Sequence, residues 1–218
     1  MSSHHFVVEG QEPALVIANG EECSMQLLKQ LIEWCPFIVV LDGAYERVMN
    51  LEIKMDMVIG DFDSIKTTER RPDVQYIKIE EQETTDLEKA IDWLSKAGYT
   101  DINIVWATGR RLDHTMNNLS LLGRYPNLHL VFYDNHSKAH LLPDSFSKHY
   151  EENSILSLLP LGRVEGISTQ GLQYALDNET LELAKRSGSS NKVVATGLVQ
   201  ISHKKGHLVL IESRDESA

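Results

Sequence analysis

The chain has 218 residues, 42% hydrophobic and 24% charged, which excludes a disordered or fibrous class and suffices for one large domain or two small ones. With 32 acidic against 21 basic side chains the net charge is -11, which argues against a nucleic acid or an anionic membrane as partner, because neutralising phosphates takes clustered Lys and Arg. Two cysteines, Cys23 and Cys35, lack metal-ligand spacing, and nine histidines occur without HExxH or paired CxxC, so a reducing compartment is expected and zinc is not.

The opening MSSHHFVVEG has no basic segment followed by an apolar one, and no run is long enough to span a bilayer, so a cytoplasmic location is expected. From Ala14 the chain alternates short apolar runs with amphipathic stretches. ALVIANG reads as the first strand. SMQLLKQLIEW follows as a helix, with Met25, Leu28, Leu31 and Ile32 at helical spacing. FIVVL, DMVIG and VQYIKI are further strands, rich in β-branched residues as strands buried on both faces are. TTDLEKAIDWLSKAG is a helix with Leu87, Ala90, Ile91 and Leu94 on one side and Gly98 as its stop. INIVWA and LHLVFY are strands on either side of a helix in HTMNNLSLLGRY.

Near residue 136 the pattern changes to strand-like runs broken by Pro, Gly and Asn: KAHLLP, SKHYEE, SILSLLPLG, VEGISTQGLQYAL and KVVATGLVQISHKKGHLVLIES. HKKG reads as the turn of a hairpin, and only ETLELAKRS has a helical look. The fold class expected is therefore α/β: a mostly parallel sheet with helices on both faces over residues 1–135, then a smaller all-β, sandwich-like domain over 136–218.

Acidic residues follow four of the runs: Asp42 after FIVVL, Asp61 and Asp63 after DMVIG, Asp86 after VQYIKI, and Asp113 after INIVWATG. In a parallel sheet the carboxyl ends of the strands share one rim, where open α/β sheets bind ligands. Carboxylates gathered there repel one another unless a cation lies among them. A hard divalent ion, Mg²⁺ first, fits that demand and commonly comes with phosphates, so the pattern points to metal-assisted phosphoryl chemistry. In GDFDSI, Gly60 permits a sharp turn that lets Asp61 and Asp63 face one ion, although an Asx turn accounts for the same residues. Thr84 or Thr85 can cap a helix that Asp86 opens, Gln82 stands ahead of it as an amide for a substrate, and Lys89 serves either a phosphate or a neighbouring carboxylate. ATGRRLDHTMNN joins strand to helix through Gly109 with Arg110 and Arg111, offering backbone N–H groups and guanidinium donors to an anion without being a Walker loop.

DGA at 42–44, GDFDSI, QETTDLEKA and GRRLDHTMNN, in this order and followed by GLxY and SSN in a β-rich tail, closely resemble thiamine pyrophosphokinase over roughly residues 14–211. The resemblance implies an α/β catalytic domain that binds ATP and Mg²⁺ and a β-rich domain for thiamine binding and dimerisation. The partners implied are ATP and thiamine, with thiamine held between the subunits of a homodimer. The reaction implied moves the pyrophosphoryl group of ATP to the thiamine hydroxyl and leaves AMP. Carried over by position, Asp61, Asp63, Asp86 and Asp113 are catalytic, the first three as metal ligands. Asp42, Thr85, Lys89, Gly109 and Arg111 serve the nucleotide, and Gln82, Tyr174, Ser190 and Asn191 serve thiamine. A tyrosine such as Tyr174 in a β-domain is more often core than a ligand face, and the general base stays open among Asp61, Asp86 and Asp113. Arg110, where a second glycine is more frequent, and Glu83, where an Asp is frequent, depart from the family pattern. The residues alone leave room for two other classes, a DxD transferase or phosphohydrolase and a non-catalytic binding module.

Overall fold

The computed structural model describes residues 12–65, 70–81 and 83–214. These fall into two units, one running through Leu121 and taking in Asn127–Asp134, the other made of Leu122–Pro126 and the chain from Asn135 on.

The first unit alternates strand and helix: β1 (Ala14–Ile17), α1 (Met25–Trp34), β2 (Phe37–Leu41), a 3₁₀ turn (Asp42–Ala44), α2 (Tyr45–Asn50), β3 (Met57–Gly60), β4 (Gln75–Lys78), α3 (Asp86–Lys96), β5 (Asp101–Val105), α4 (Leu112–Arg124) and β6 (His129–Tyr133). All pairings within this unit are parallel, and the strand order is β4-β3-β2-β1-β5-β6. The order reverses between β1 and β5, which makes that pair the topological switch point.

Alternation along the strands separates two cores. Leu15, Ile17, Ile38, Val40 and Val58 share one cluster with Leu27, Leu28 and Leu31 of α1 and Tyr45 and Val48 of α2. The α1 stripe is thus Leu27, Leu28 and Leu31, centred near Leu31; Met25 is exposed because it lies about 110° around the helix from the middle of that stripe. Helix α3 packs against β1, β2 and β3 and buries Leu87, Ala90, Ile91 and Leu94, as the sequence pattern required. Ser24 caps α1 and Thr85 caps α3, each accepting an amide of the first turn. VQYIKI forms an edge strand with both ends exposed, so it is not buried on both faces. The short helix α2, over YERVMN, was not legible as one: its two buried residues are too few to mark a stripe.

The second unit is β-rich and antiparallel: β7 (Ser137–Leu141), β8 (Ser145–Tyr150), β9 (Ile155–Gln170), β10 (Glu179–Glu182), β11 (Gly188–Lys192), β12 (Gly197–Ser202) and β13 (Lys205–Ser213), in the order β7-β13-β9-β12-β8, with β10 and β11 also pairing with β9. SILSLLPLG and VEGISTQ are one 16-residue strand, bent where Gly162 and Gly166 take positive φ of 88° and 70°. Its first half pairs with β13 and β11, its second with β12 and β10, around a core that includes Leu158, Val164, Ile167, Leu208 and Leu210. Two expectations are corrected here. HKKG does not close a hairpin: β12 and β13 flank β9, and the chain crosses between them, with the Lys204 N–H donating to Glu165 O. Alternating arms fit either route, so the pattern could not decide. ETLELAKRS begins as strand β10, not a helix, because Leu181 pairs with Val164 in the core.

Candidate active site

Asp42 is the first residue beyond β2 and is 4% exposed. Its Oδ1 accepts the Gly43 N–H at 2.6 Å and its Oδ2 accepts the Phe62 N–H at 2.9 Å, which ties the end of β2 to the turn after β3. A Cβ on Gly60 would lie 2.3 Å from Asp42 Cγ, so glycine is what lets the two segments close. Phe62 takes the left-handed φ of 67°, and Asp61 Oδ1 accepts the Asp63 N–H at 3.1 Å. The Asx turn and the metal reading therefore coexist, since the turn is what aims both carboxylates inward.

Oxygens of Asp42, Asp61 and Asp63 lie within 4.8 Å of one another. Burial pushes the Asp42 carboxyl up to about 6, the charges of Asp86 and Asp61 add to it, and the Phe62 and Gly43 amides oppose it. Three all-oxygen donors at that spacing, one of them strained toward neutrality, fit a hard divalent cation. The closest trio contains Asp42 in place of Asp86. Asp86 instead accepts Lys89 Nζ at 3.1 Å, and Lys89, 6% exposed, also reaches Ile79 O.

On the other side of the cavity the loop after β5 carries Gly109, with φ 73°, then Arg110 and Arg111. Arg111 clamps Asp113 through Nε–Oδ1 at 3.1 Å and Nη2–Oδ2 at 2.5 Å. That guanidinium holds the Asp113 carboxyl down at about 2, with the His114 N–H helping. Asp113 stands at the edge of the cavity and does not line it. The lining of this cavity, about 670 Å³, includes Asp42, Asp61, Asp63, Asp86, Lys89, Arg110 and Arg111. It also includes Asn19 and Gly20, which the sequence reading left inside the strand ALVIANG; their position at the end of a run, level with the other rim residues, was the missed signal.

Gln82 lies outside the described residues. In the second unit Tyr174 is 64% exposed, so it is not core. With Leu176, Leu181 and Asn191 it lines a smaller cavity of about 130 Å³. The Asn191 side chain is buried and spent on backbone: Oδ1 accepts the N–H groups of Tyr174 and Lys192, and Nδ2 donates to Tyr174 O at 2.8 Å. Ser190, with φ 55°, is exposed and outside that lining; its N–H donates to Ser157 Oγ.

A parallel-sheet unit whose rim cavity gathers carboxylates and cations, followed by a β-rich unit, has the groups that a metal- and phosphate-handling protein needs. Residues 28–132 match the family model of the thiamin pyrophosphokinase catalytic domain, and residues 145–208 match that of the thiamin pyrophosphokinase vitamin B1 binding domain. The chain belongs to the thiamin pyrophosphokinase family. It is similar to thiamin pyrophosphokinase 1 of Caenorhabditis elegans, 26% identical over 195 residues, covering 82% of this chain and 80% of that protein. Thiamine pyrophosphokinase 1 of Oryza sativa subsp. japonica is 29% identical over 167 residues, 66% of this chain; the match spans 61% of the length of the rice protein. The crystal structure of thiamine pyrophosphokinase from Bacillus subtilis superposes with a TM-score of 0.80 at 25% identity, covering 93% of this chain and 99% of that one.

Proposed function

We propose that this protein is a thiamine pyrophosphokinase, transferring the pyrophosphoryl group of ATP to the hydroxyl of thiamine with Mg²⁺ and releasing AMP. The observation that carries the reading is the meeting of the Asp42, Asp61 and Asp63 carboxylates in one cavity whose lining also includes Lys89, Arg110 and Arg111. An acidic cluster alone would fit a metal-binding module. Facing cations in the same cavity fit the phosphates of a nucleotide.

Asp61 and Asp63, with Asp42 or Asp86 beside them, would hold Mg²⁺, which when bound supplies charge compensation to the pyrophosphoryl oxygens. Phosphoryl transfer asks the protein chiefly for alignment and charge balance. The thiamine hydroxyl oxygen bonds to the β-phosphorus, the bond from that phosphorus to the α,β-bridging oxygen breaks, and its electron pair leaves on AMP. The hydroxyl proton passes to a carboxylate. Of the three candidates, Asp113 does not line the cavity and has both carboxylate oxygens engaged by Arg111, which leaves Asp61 or Asp86 as base and gives Asp113 the role of fixing Arg111. Lys89 and Thr85 shape the start of α3 beside Asp86, and Gly109 and Arg111 present the phosphate loop.

In this reading residues 1–135 are the catalytic, nucleotide-binding part and 136–218 the thiamine-binding and dimerisation part. Gln82, Tyr174, Ser190 and Asn191 contribute to the thiamine site, at the interface of a homodimer. The exposure of Tyr174, Leu183, Val194 and Leu198 on the β-rich unit supports such an interface. No helix among the described residues is long and apolar enough to cross a membrane. Location in the cytoplasm is part of the same proposal. Incubation with thiamine, ATP and Mg²⁺ followed by mass analysis tests it: thiamine diphosphate and AMP in equal amounts are expected, whereas ADP or free phosphate as the product would reject it.

A further inference from the structure

The charges that line the cavity are sorted along the rim of the parallel sheet. The carboxylates of Asp61, Asp63 and Asp42 follow β3 and β2, whereas the loops after β1 and β5, at the switch point, bring Arg110 and Arg111 to the lining beside Asn19 and Gly20; Glu21 and Glu22 on the first of these loops and Asp113 just past the second do not line it. One strand spacing is about 4.8 Å, so the turn after β3 lies about 14 Å from the loop after β5 and the turn after β2 about 10 Å from it, both within the span of a nucleoside triphosphate.

The two loops at the switch point are knitted together. The Gly20 N–H donates to Trp106 O, and the Glu21 N–H donates to Thr108 O at 2.8 Å. A Cβ on Gly20 would stand 2.3 Å from Thr108 O, so only glycine permits this approach. Arg47 of α2 locks the junction: it lies over the Trp106 ring at 4.7 Å and donates to Asn19 Oδ1 at 2.9 Å, to Gly20 O at 3.1 Å and to Glu22 at 3.1 Å. Its positive charge is balanced by Glu22.

Arg110 is different. Its guanidinium approaches the same Asn19 Oδ1, and Asn19 O, only at 3.4 Å, and it forms no ion pair among the described residues. It is exposed and lines the cavity. Its backbone holds a φ of 53°, a left-handed conformation that glycine adopts freely and that costs an arginine about 1 kcal/mol. Strain retained under an unpaired cation, beside a second guanidinium and at a ligand-binding crevice, is arranged for an anion.

We propose that Arg110, seated against Asn19 and Arg47 at the β1–β5 switch point, binds the phosphate that stays with the nucleoside, the α-phosphate of ATP and the phosphate of the AMP product. Arg47 and Asn19 are positioning residues for it. The assignment rests on the pyrophosphokinase reading for the direction in which the nucleotide lies: the group that is transferred takes the acidic end, and the group that is retained takes the basic end.

Arg110→Gly removes the guanidinium and relieves the left-handed backbone, so the variant folds at least as well as the parent and a binding loss cannot be blamed on unfolding. The probes are AMP, adenosine and inorganic pyrophosphate, titrated calorimetrically into the whole protein. The expected result is about tenfold weaker AMP binding, with adenosine and pyrophosphate unchanged, and partial recovery in Arg110→Lys. In turnover, the KM for ATP rises by a similar factor while the KM for thiamine holds. Unchanged AMP affinity overturns the proposal, as does an equal loss for adenosine or a loss confined to pyrophosphate. Wild-type protein that forms no thiamine diphosphate refutes the parent reading instead, while the AMP titration still decides for or against the subsite.

Discussion

The backbone N–H of Phe62 donates to Asp42 Oδ2 across 2.9 Å, so a carboxylate at the end of one strand fixes the turn that carries Asp61 and Asp63 at the end of the next. Amide bonds to a carboxylate contribute roughly 1.5 to 3 kcal/mol each, enough to hold Phe62 in its left-handed conformation. Asp42 is thereby a structural member of the site as well as a ligand candidate.

Gly60 is the place to test that link. Gly60→Ala puts a Cβ into Asp42 Cγ, and the expected outcome is a loss of about 2 kcal/mol in urea unfolding together with at least a tenfold fall in turnover. Gly98→Ala is the control: φ is 96° but nothing lies within 4 Å, so a stability loss of about 1 kcal/mol with unaltered turnover is expected. Equal effects of the two changes on turnover would mean that the Asp42 contact is irrelevant to catalysis.

Asp63→Asn and Asp61→Asn should each reduce pyrophosphoryl transfer by about a hundredfold or more, since each removes one charge from the trio. Stability in the presence of chelator should not fall, because the Asn amide oxygen at position 61 still accepts the turn N–H while like-charge repulsion is relieved. Wild-type melting temperature should rise with added Mg²⁺ and that rise should be absent in the variants, readable by differential scanning calorimetry. A full Mg²⁺ response in Asp63→Asn would remove Asp63 from the metal site.

Much of this site can be read from the amino-acid sequence because strand ends announce themselves. FIVVL, DMVIG and INIVWA mark where the rim lies, and the residues after them line or border the cavity. What the text hides is rotational detail. Asp113 follows the same rule, yet Arg111 two residues earlier takes its carboxylate at the cavity's edge. Asn191 carries the composition of a ligand contact, but its amide is consumed by the Tyr174 backbone. The misread hairpin has a similar origin: period-two alternation records which side chains are buried, and β12 and β13 bury theirs on either side of β9 without pairing with each other.

Asn191 makes a prediction of its own. Asn191→Ala leaves the Tyr174 carbonyl and two backbone N–H groups without partners in a nearly buried position, which should cost about 2 kcal/mol and release the segment that presents the Tyr174 ring. The KM for thiamine should rise while the KM for ATP stays put. Tyr174→Ala, by contrast, should raise the KM for thiamine without a stability cost, since that side chain is 64% exposed. Urea melts and steady-state kinetics on both variants separate clamp from contact.

Glu212 concentrates the acid sensitivity of the β-rich unit. It is 8% exposed and accepts Lys148 Nζ at 2.6 Å, with Lys138 Nζ at 3.2 Å and His140 Nε2 at 3.5 Å. Burial works against its ionisation, but the hydrogen bonds from His140 and Lys148 and the charges of both lysines prevail and bring its pKa from 4.5 to about 2. A carboxyl with a lowered folded pKa stabilises fully above its unfolded value, and that contribution disappears as the pH falls through the folded one. Wild-type stability should therefore drop by about 3 kcal/mol between about pH 5 and pH 2 on this account alone. Glu212→Gln leaves Lys138 and Lys148 beside each other without a counter-charge, so it should be about 3 kcal/mol less stable near pH 7. The two proteins should converge as acid protonates the wild-type carboxyl. Denaturant melts across that range check it, and a gap between the two that stayed constant down to pH 2 would show that Glu212 is not the group being titrated.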